Sequence, residues 1–434
     1  MIQKRIRQFL TSVYQASQST YFGFVQGHAH LLPEDLNQIN KLVGLQSEKI
    51  VADFESQFAE LVGEGEAISY AAARMGFYDL MRVIGVTKGD EVILLGATCA
   101  VMVNAVMRTG ATPVFADIDP DTFGSCSHTI SSSITQQTRM IVAQHSFGIP
   151  CDISPIVKLA REQNIFLLED CALTLGSKVN GVGVGNFGDA ALFSTDHSKP
   201  LNTLTGGLIY TCDIDLARRM RISQAACSEL SIARQKALWS RIMLEARYCV
   251  PVRYGRMALV DLFVSLRKRL TNEGEGFLSE DSALSHVTTY PYPAKLPAFL
   301  AAIGLIEINR WPLVAVERSI LLMRLISALS DSQIGICLPK AYTNKALQIV
   351  PLRFAWVEPK GTNVRKAMRH FVHVSWTWFM QPIIATSEPL ENLGYRAGSC
   401  PVSERIGPNM VNIPCNVAKK DGAKLIALFK RVYV

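Results

Sequence analysis

The stretch Ile165-Phe166-Leu167-Leu168-Glu169-Asp170 is a run of four apolar residues closed by two carboxylates. Unbroken apolarity over so short a run is the pattern of a strand buried on both faces, and it delivers the carboxylates at the strand's carboxyl end. Similar runs lie outward from it in both directions. Residues 140–145, 112–117 and 91–95 precede it, the last introduced by the turn Lys88-Gly89-Asp90, and 190–194 and 208–211 follow. Between and before them, residues 54–61, 72–84, 99–108 and 153–163 have helical length and pattern. Strands alternating with helices predict an α/β domain built on a mainly parallel sheet covered on both faces. Ligands of such sheets sit beyond the carboxyl ends of the strands.

Composition bounds the rest. The chain has 434 residues, with Lys+Arg 44 against Asp+Glu 37, a net charge of +7, 49% hydrophobic and 19% charged residues. Mean hydropathy is +0.18. That length predicts two or three domains, and that balance excludes disorder, collagen and coiled coil. So little charge leaves apolar surface to spare, which points to a subunit interface before a membrane surface. The positive charge is spread thinly, without tracts interleaved with aromatics, so no nucleic-acid partner is expected. No apolar run approaches the roughly 18–20 residues of a spanning helix: 300–308 is short and 320–329 is broken by Arg324. The N-terminal MIQKRIRQFLTSVYQ is basic but interrupted by Gln8 and Ser12, and reads as an amphipathic helix rather than a leader. Ten cysteines form no CxxC pair and no zinc-ligand spacing, which predicts no metal site and reduced thiols in the cytoplasm.

The chain divides into a helical N-terminal extension (1–46), a large α/β domain (47–225), a helical insert with a linker (226–285) and a small C-terminal α+β domain (286–434). Within the insert 226–270 is helix-prone and 271–285 is rich in Gly, Ser and acidic residues. The small domain opens on Pro291, Pro293 and Pro297, then a long helical pattern over 298–329, a strand-like 347–354 and a final helix over 422–432.

Three segments of the large domain carry chemistry. Asp170, at a strand's end, can hold a pyridine nitrogen protonated through a charged hydrogen bond, although a turn or helix cap explains the carboxylates equally well. Residues 188–194 run into Thr195-Asp196-His197-Ser198-Lys199. A lysine in a partly desolvated cleft can form an imine with an aldehyde, and Ser194 can bind phosphate; a surface lysine is the plain alternative. Ala71-Ala72-Ala73-Arg74 opens a helix whose N-terminus is a phosphate site, or simply a helix start. Together the three are the parts that pyridoxal phosphate (PLP) requires. His197, His145 at its strand end, and Trp376 and Trp378 with His370 and His373 are further candidates for ligand contacts. Each is also explained as a loop or core residue. Gly181-Val182-Gly183-Val184-Gly185 lacks the strand-before, helix-after setting of a dinucleotide loop and predicts a hairpin turn.

These segments resemble the DegT/StrS family of PLP-dependent sugar aminotransferases, fold type I. The resemblance rests on Gly89-Asp90-Glu91-Val92-Ile93, residues 110–123, His145-Ser146-Phe147-Gly148, Glu169-Asp170-Cys171-Ala172, residues 185–194, Ser198-Lys199 and Gly206-Gly207, with 400–404 and 411–414 near the C-terminus. It implies a seven-stranded, mainly parallel sheet with a smaller α+β domain. It further implies that Lys199 holds PLP as a Schiff base and moves the substrate proton, and that Asp170 pairs with the pyridine nitrogen. Ser194 and the backbone of Ala73 and Arg74 would take the phosphate, and Cys99 would stand where an aromatic ring faces the cofactor. The chain departs from the family pattern at Leu173 (usually Gln or His), at Leu204-Thr205 before the glycine pair, and at Pro293 and Lys295, where the family's interface Asn and Arg fall. Lys199, rather than the His of dehydrating members, favours transamination. The implied reaction moves an amino group from an amino acid, L-glutamate or L-glutamine, to a ketone of a nucleotide-linked sugar, in a homodimer. An aminocyclitol or non-sugar ketone, and a PLP-binding partner or scaffold without activity, are the other two readings.

Overall fold

The computed structural model describes residues 10, 20–23, 27–257, 259–261, 263, 290–330, 338–359, 361–374, 378–386 and 388–433. The expected N-terminal amphipathic helix, apart from Leu10, and the linker at 271–285 lie outside these residues, as does Trp376.

Seven strands form the central sheet: β1 (Glu66–Tyr70), β2 (Glu91–Leu95), β3 (Thr112–Ala116), β4 (Thr138–Gln144), β5 (Phe166–Asp170), β6 (Ala190–Ser194) and β7 (Gly207–Thr211). Their order is β1-β7-β6-β5-β4-β2-β3. The five strands from β6 to β3 are parallel, and β7 and β1 add antiparallel at one edge. The parallel strands read as near-continuous apolar runs because both their faces are covered. β1 escapes the sequence reading because Glu-Ala-Ile-Ser-Tyr lacks that signature. Its buried Ser69 is tolerated because Glu55 accepts from both its N–H and its hydroxyl at 2.7 Å.

Helices α1 (Pro33–Asn40), α2 (Glu48–Val62), α3 (Ala73–Val83), α4 (Ala100–Thr109), α5 (Ile153–Glu162), α6 (Ile214–Ala225) and α7 (Ile232–Tyr248) follow in chain order, and α2 to α6 match the expected segments or lie beside their strands. The insert is not one continuous helix. α7 stops at Tyr248, where Pro251 can supply no N–H to the next turn, and helix resumes at 254. The glycine-rich 181–185 segment closes a hairpin, Lys178–Val179 against Val182–Gly183.

The apolar runs 300–308 and 320–329 join into one helix, α8 (Ala298–Ser330). This corrects the expectation that no segment is long enough to span a membrane: by length and composition Ala298–Leu329 is. Here it serves as a core helix. Phe299, Leu300, Ala301 and Ile303 enter the main core, and Leu321, Leu322, Leu325 and Leu329 enter a second one. That second core is built on β8 (Arg353–Val357) paired antiparallel with β9 (Met410–Pro414), and on Phe429 of α9 (Lys419–Tyr433). The expected strand 347–354 divides in two. Leu347–Gln348 pairs with the hairpin while β8 pairs with β9, because Pro351 between them cannot extend a ladder.

Candidate active site

The carboxyl ends of β4, β5 and β6 and the N-termini of α3 and α4 open onto one cavity of about 390 Å³. Eight residues proposed from the sequence line it: Ala73, Arg74, Cys99, Asp170, Leu173, Ser194, His197 and Lys199; of the further candidates, Trp378 and His373 also line it, whereas His145 and His370 do not.

Asp170 ends β5 and is buried, its Oδ1 accepting from Ala172 N–H at 2.9 Å. Burial pushes its carboxyl above the ordinary range, and the Ala172 N–H, Lys199 and His145 act against that rise. Its neighbour Glu169 points the other way, as strand alternation requires. Glu169 accepts from Gly185, Phe187 and Gly188 N–H and so ties down the hairpin loop. His145 belongs with Glu169 rather than with the cavity. Its Nδ1 accepts from Cys151 N–H at 3.0 Å and its Nε2 faces Glu169 at 3.2 Å, so Nε2 carries the proton that points at the carboxylate. His145, Glu169 and Cys171 lie close enough to bind a metal, but the Glu169 oxygens are already spent on backbone N–H groups and the cluster reads as core. Of the pair at the end of β4, the cavity receives Gln144, which donates to Ala97 O at 3.1 Å.

The N-terminus of α3 has no side-chain cap, which leaves its first N–H groups for a ligand. Ser194 and Arg74 stand beside it in the same wall. Gly207 is fixed by this approach, since a Cβ there would come within 2.3 Å of Ala73 Cα. Gly207 thus makes room for the helix start, while Gly206 lines the cavity. Lys199 is held in its loop by its N–H donating to Asp196 O at 3.0 Å, and His197 N–H donates to Leu204 O. Leu204 adopts φ +73°, the left-handed region a glycine takes without strain; Asn202 Oδ1 accepts from its N–H and holds it there.

Asp196 and His197 form an ion pair at the cavity wall. Burial would raise the Asp196 carboxyl, but His197, Lys199 and Arg74 outweigh it and hold it low. Burial would likewise lower the His197 imidazole, and Asp196 overcomes that to raise it above its ordinary value.

The far wall comes from the C-terminal part of the chain: Leu352, Arg353, His373, Trp378, Ile384 and Ala385. Lys199 Nζ lies 5.5 Å from the centre of the Trp378 ring, so the ligand-wall reading of Trp378 and His373 describes their position. Arg353 was missed by the sequence reading, though an arginine inside the apolar run 350–356 was the available signal. It donates to the Asn412 side chain and to the carbonyls of His373 and Asn412. Burial, with Arg353 alongside, pushes the His373 imidazole down to about 3 and keeps it neutral.

A family model for the DegT/DnrJ/EryC1/StrS aminotransferases matches residues 33–425. The chain belongs to this family. Among its relatives, GDP-perosamine synthase of Escherichia coli O157:H7 is 38% identical over 169 residues, which is 39% of this chain and 46% of that one. UDP-N-acetyl-3-dehydro-alpha-D-glucosamine 3-aminotransferase of Acidithiobacillus ferrooxidans is 33% identical over 216 residues, 47% of this chain and 58% of that one. The chain therefore spans about half the length of the curated relatives it matches. The fold is shared over nearly the whole chain: an aminotransferase from Psychrobacter cryohalolentis superposes with a TM-score of 0.71 at 17% identity, covering 93% of this chain and 97% of that one.

Proposed function

We propose that this DegT/DnrJ/EryC1/StrS-family chain is a PLP-dependent aminotransferase that moves an amino group from an amino acid, L-glutamate, to a ketone of a nucleotide-linked sugar. The observation that carries the reading is the convergence of Asp170, Ser194, Lys199 and the uncapped N-terminus of α3 on one cavity. Their chemistry fits PLP: a buried carboxylate for a pyridine nitrogen, a lysine for an aldehyde, and a helix terminus with a hydroxyl and a guanidinium for a phosphate. Bound there, PLP supplies an electron sink for the bond changes at the substrate carbon.

The chain's own groups do the rest. Asp170 keeps a ring nitrogen protonated, and its burial strengthens that charged hydrogen bond. Lys199 would hold the cofactor through its aldehyde and would carry the proton to and from the substrate carbon. Ser194, Arg74 and the first turn of α3 anchor the phosphate. Cys99 and Leu173 shape the faces of the ring site, and His197 contacts the substrate. The relatives' names, a GDP-sugar synthase and a UDP-sugar aminotransferase, support the acceptor class. Spare apolar surface supports a homodimer, and the lack of any disulfide joining the described cysteines supports a reducing cytoplasm.

The test is an absorbance spectrum of the chain with PLP before and after L-glutamate, beside Lys199→Ala. A visible band that bleaches with glutamate and is absent from the variant supports the reading. A band that never bleaches favours the PLP-binding scaffold, to which the apolar Leu173 in the cavity wall lends weight. No band in the unaltered chain overturns both.

A further inference from the structure

Behind the catalytic loop lies a second, smaller chamber of about 40 Å³. His197 and Lys199 line it as well as the main cavity, so the two adjoin across the lysine loop. Its far side is α8, which contributes Glu307, Arg310, Trp311 and Arg318, and its rim includes His30 of the N-terminal extension.

The charges there do not balance. Glu307 is fully engaged: Arg310 Nη1 reaches it at 2.7 Å, His30 Nε2 at 2.8 Å, and Asn202 N–H at 3.1 Å. Burial would raise its carboxyl, but His30 and Arg310 outweigh that and hold it down at about 2. Arg318 is 96% buried, from 4% relative exposure. Nη2 donates to Pro200 O at 3.2 Å, and the guanidinium lies 5.1 Å from the centre of the Trp311 ring. Its Nε and Nη1 have no hydrogen-bond partner among the described residues, and neither does Asn202 Nδ2. A buried guanidinium in the wall of a chamber, with two donors to spare, calls for an anion with paired acceptor oxygens. The volume sets the size. A single water needs about 10–15 Å³ of such space, so the chamber holds about three heavy atoms, the size of a carboxylate group.

We infer that this chamber receives the distal carboxylate of the amino donor, and that Arg318 sets a preference for L-glutamate over L-glutamine. The assignment rests on the aminotransferase reading above. A carboxylate offers Arg318 two acceptors and a compensating charge, whereas a neutral amide offers one acceptor and leaves the buried charge unpaired.

Tryptophan fluorescence reads the chamber without PLP or turnover, because Trp311 stacks on Arg318; Trp311→Phe identifies its share of the signal. Glutarate is the probe, with valerate, a monoacid of the same chain length, as control. We expect saturable glutarate binding at least tenfold tighter than valerate, a margin that Arg318→Gln removes. With PLP bound, Arg318→Gln should reduce the glutamate-to-glutamine ratio of kcat/KM at least tenfold while the visible band persists. Equal binding of glutarate and valerate in the unaltered chain overturns the inference, and needs no variant that might misfold. A saturable chloride response that glutarate does not displace also overturns it, and assigns the chamber to a free ion. Loss of the visible band in the unaltered chain would sink the aminotransferase reading, while the glutarate titration still reports on the chamber.

Discussion

Lys199 Nζ lies 5.5 Å from the centre of the Trp378 ring, across a cavity whose two walls are 179 positions apart in the chain. The lysine comes from the loop after β6 and the tryptophan from the segment before Ile383–Ile384, a two-residue strand that pairs in parallel with Thr98–Cys99. That pairing docks the C-terminal wall beside Cys99, the N-cap of α4. Trp378→Leu removes the ring that faces the lysine across the cavity, and losing a contact of about 0.5–2 kcal/mol should slow amine transfer by roughly two- to thirtyfold without unfolding the chain, as single-turnover rates and circular dichroism would show. An unchanged rate would remove Trp378 from the site.

Asp170→Asn keeps the shape of the β5 end but replaces a charged acceptor by a neutral amide. The variant should still bind PLP and should lose roughly 10²–10³-fold in rate, the usual cost of removing one preorganised electrostatic partner. Band formation together with single-turnover kinetics separates binding from rate. Full activity in the variant would mean that the buried carboxylate has no part in the chemistry.

The Asp196–His197 pair gives a pH signature. The folded state raises the imidazole above its ordinary 6.5, so the stability it contributes is fully present below pH 6.5 and fades as the pH climbs through the raised value. Both side chains are more than a third exposed, so the effect stays within about 1 kcal/mol. The melting-temperature margin of the unaltered chain over His197→Asn should be largest in mild acid and close toward alkaline pH. A margin that widened with pH would reverse the assignment of the charged partner.

Gly207→Ala places a methyl 2.3 Å from Ala73 Cα and 2.5 Å from Ala73 N. Both neighbours are backbone, so β7 and the start of α3 must move apart. We expect a loss of about 1–3 kcal/mol in denaturant unfolding, together with weaker PLP binding, because α3 is the proposed phosphate anchor. Gly183→Ala, where a Cβ would meet only ordinary contacts at 3.6 Å and beyond, serves as the control. Equal stability in the two variants would mean that the close approach is not a constraint.

Much of the site was legible because its residues sit at punctuation points of a regular pattern. Asp170 ends an apolar run, Ser194 ends another, Lys199 follows in the next loop, and Ala73-Arg74 open a helix. In a parallel sheet all such ends face one side. The sequence therefore determined the α/β class, the parallel centre of the sheet and the chemical side of the cavity. What it left undecided concerns which face a residue takes and which distant segment it meets. Gln144 rather than His145 faces the cavity because strand neighbours alternate and the register is set by pairing. Asp117, at the end of the run 112–117, accepts from Val402 and Ser403 N–H at 2.7 and 2.9 Å and so caps the short helix Pro401–Ile406 nearly three hundred residues away. Arg353, Trp378 and the Arg318 chamber likewise depend on long-range packing. Spacing along the chain encodes local periodicity, whereas contacts between segments exist only once the cores have closed.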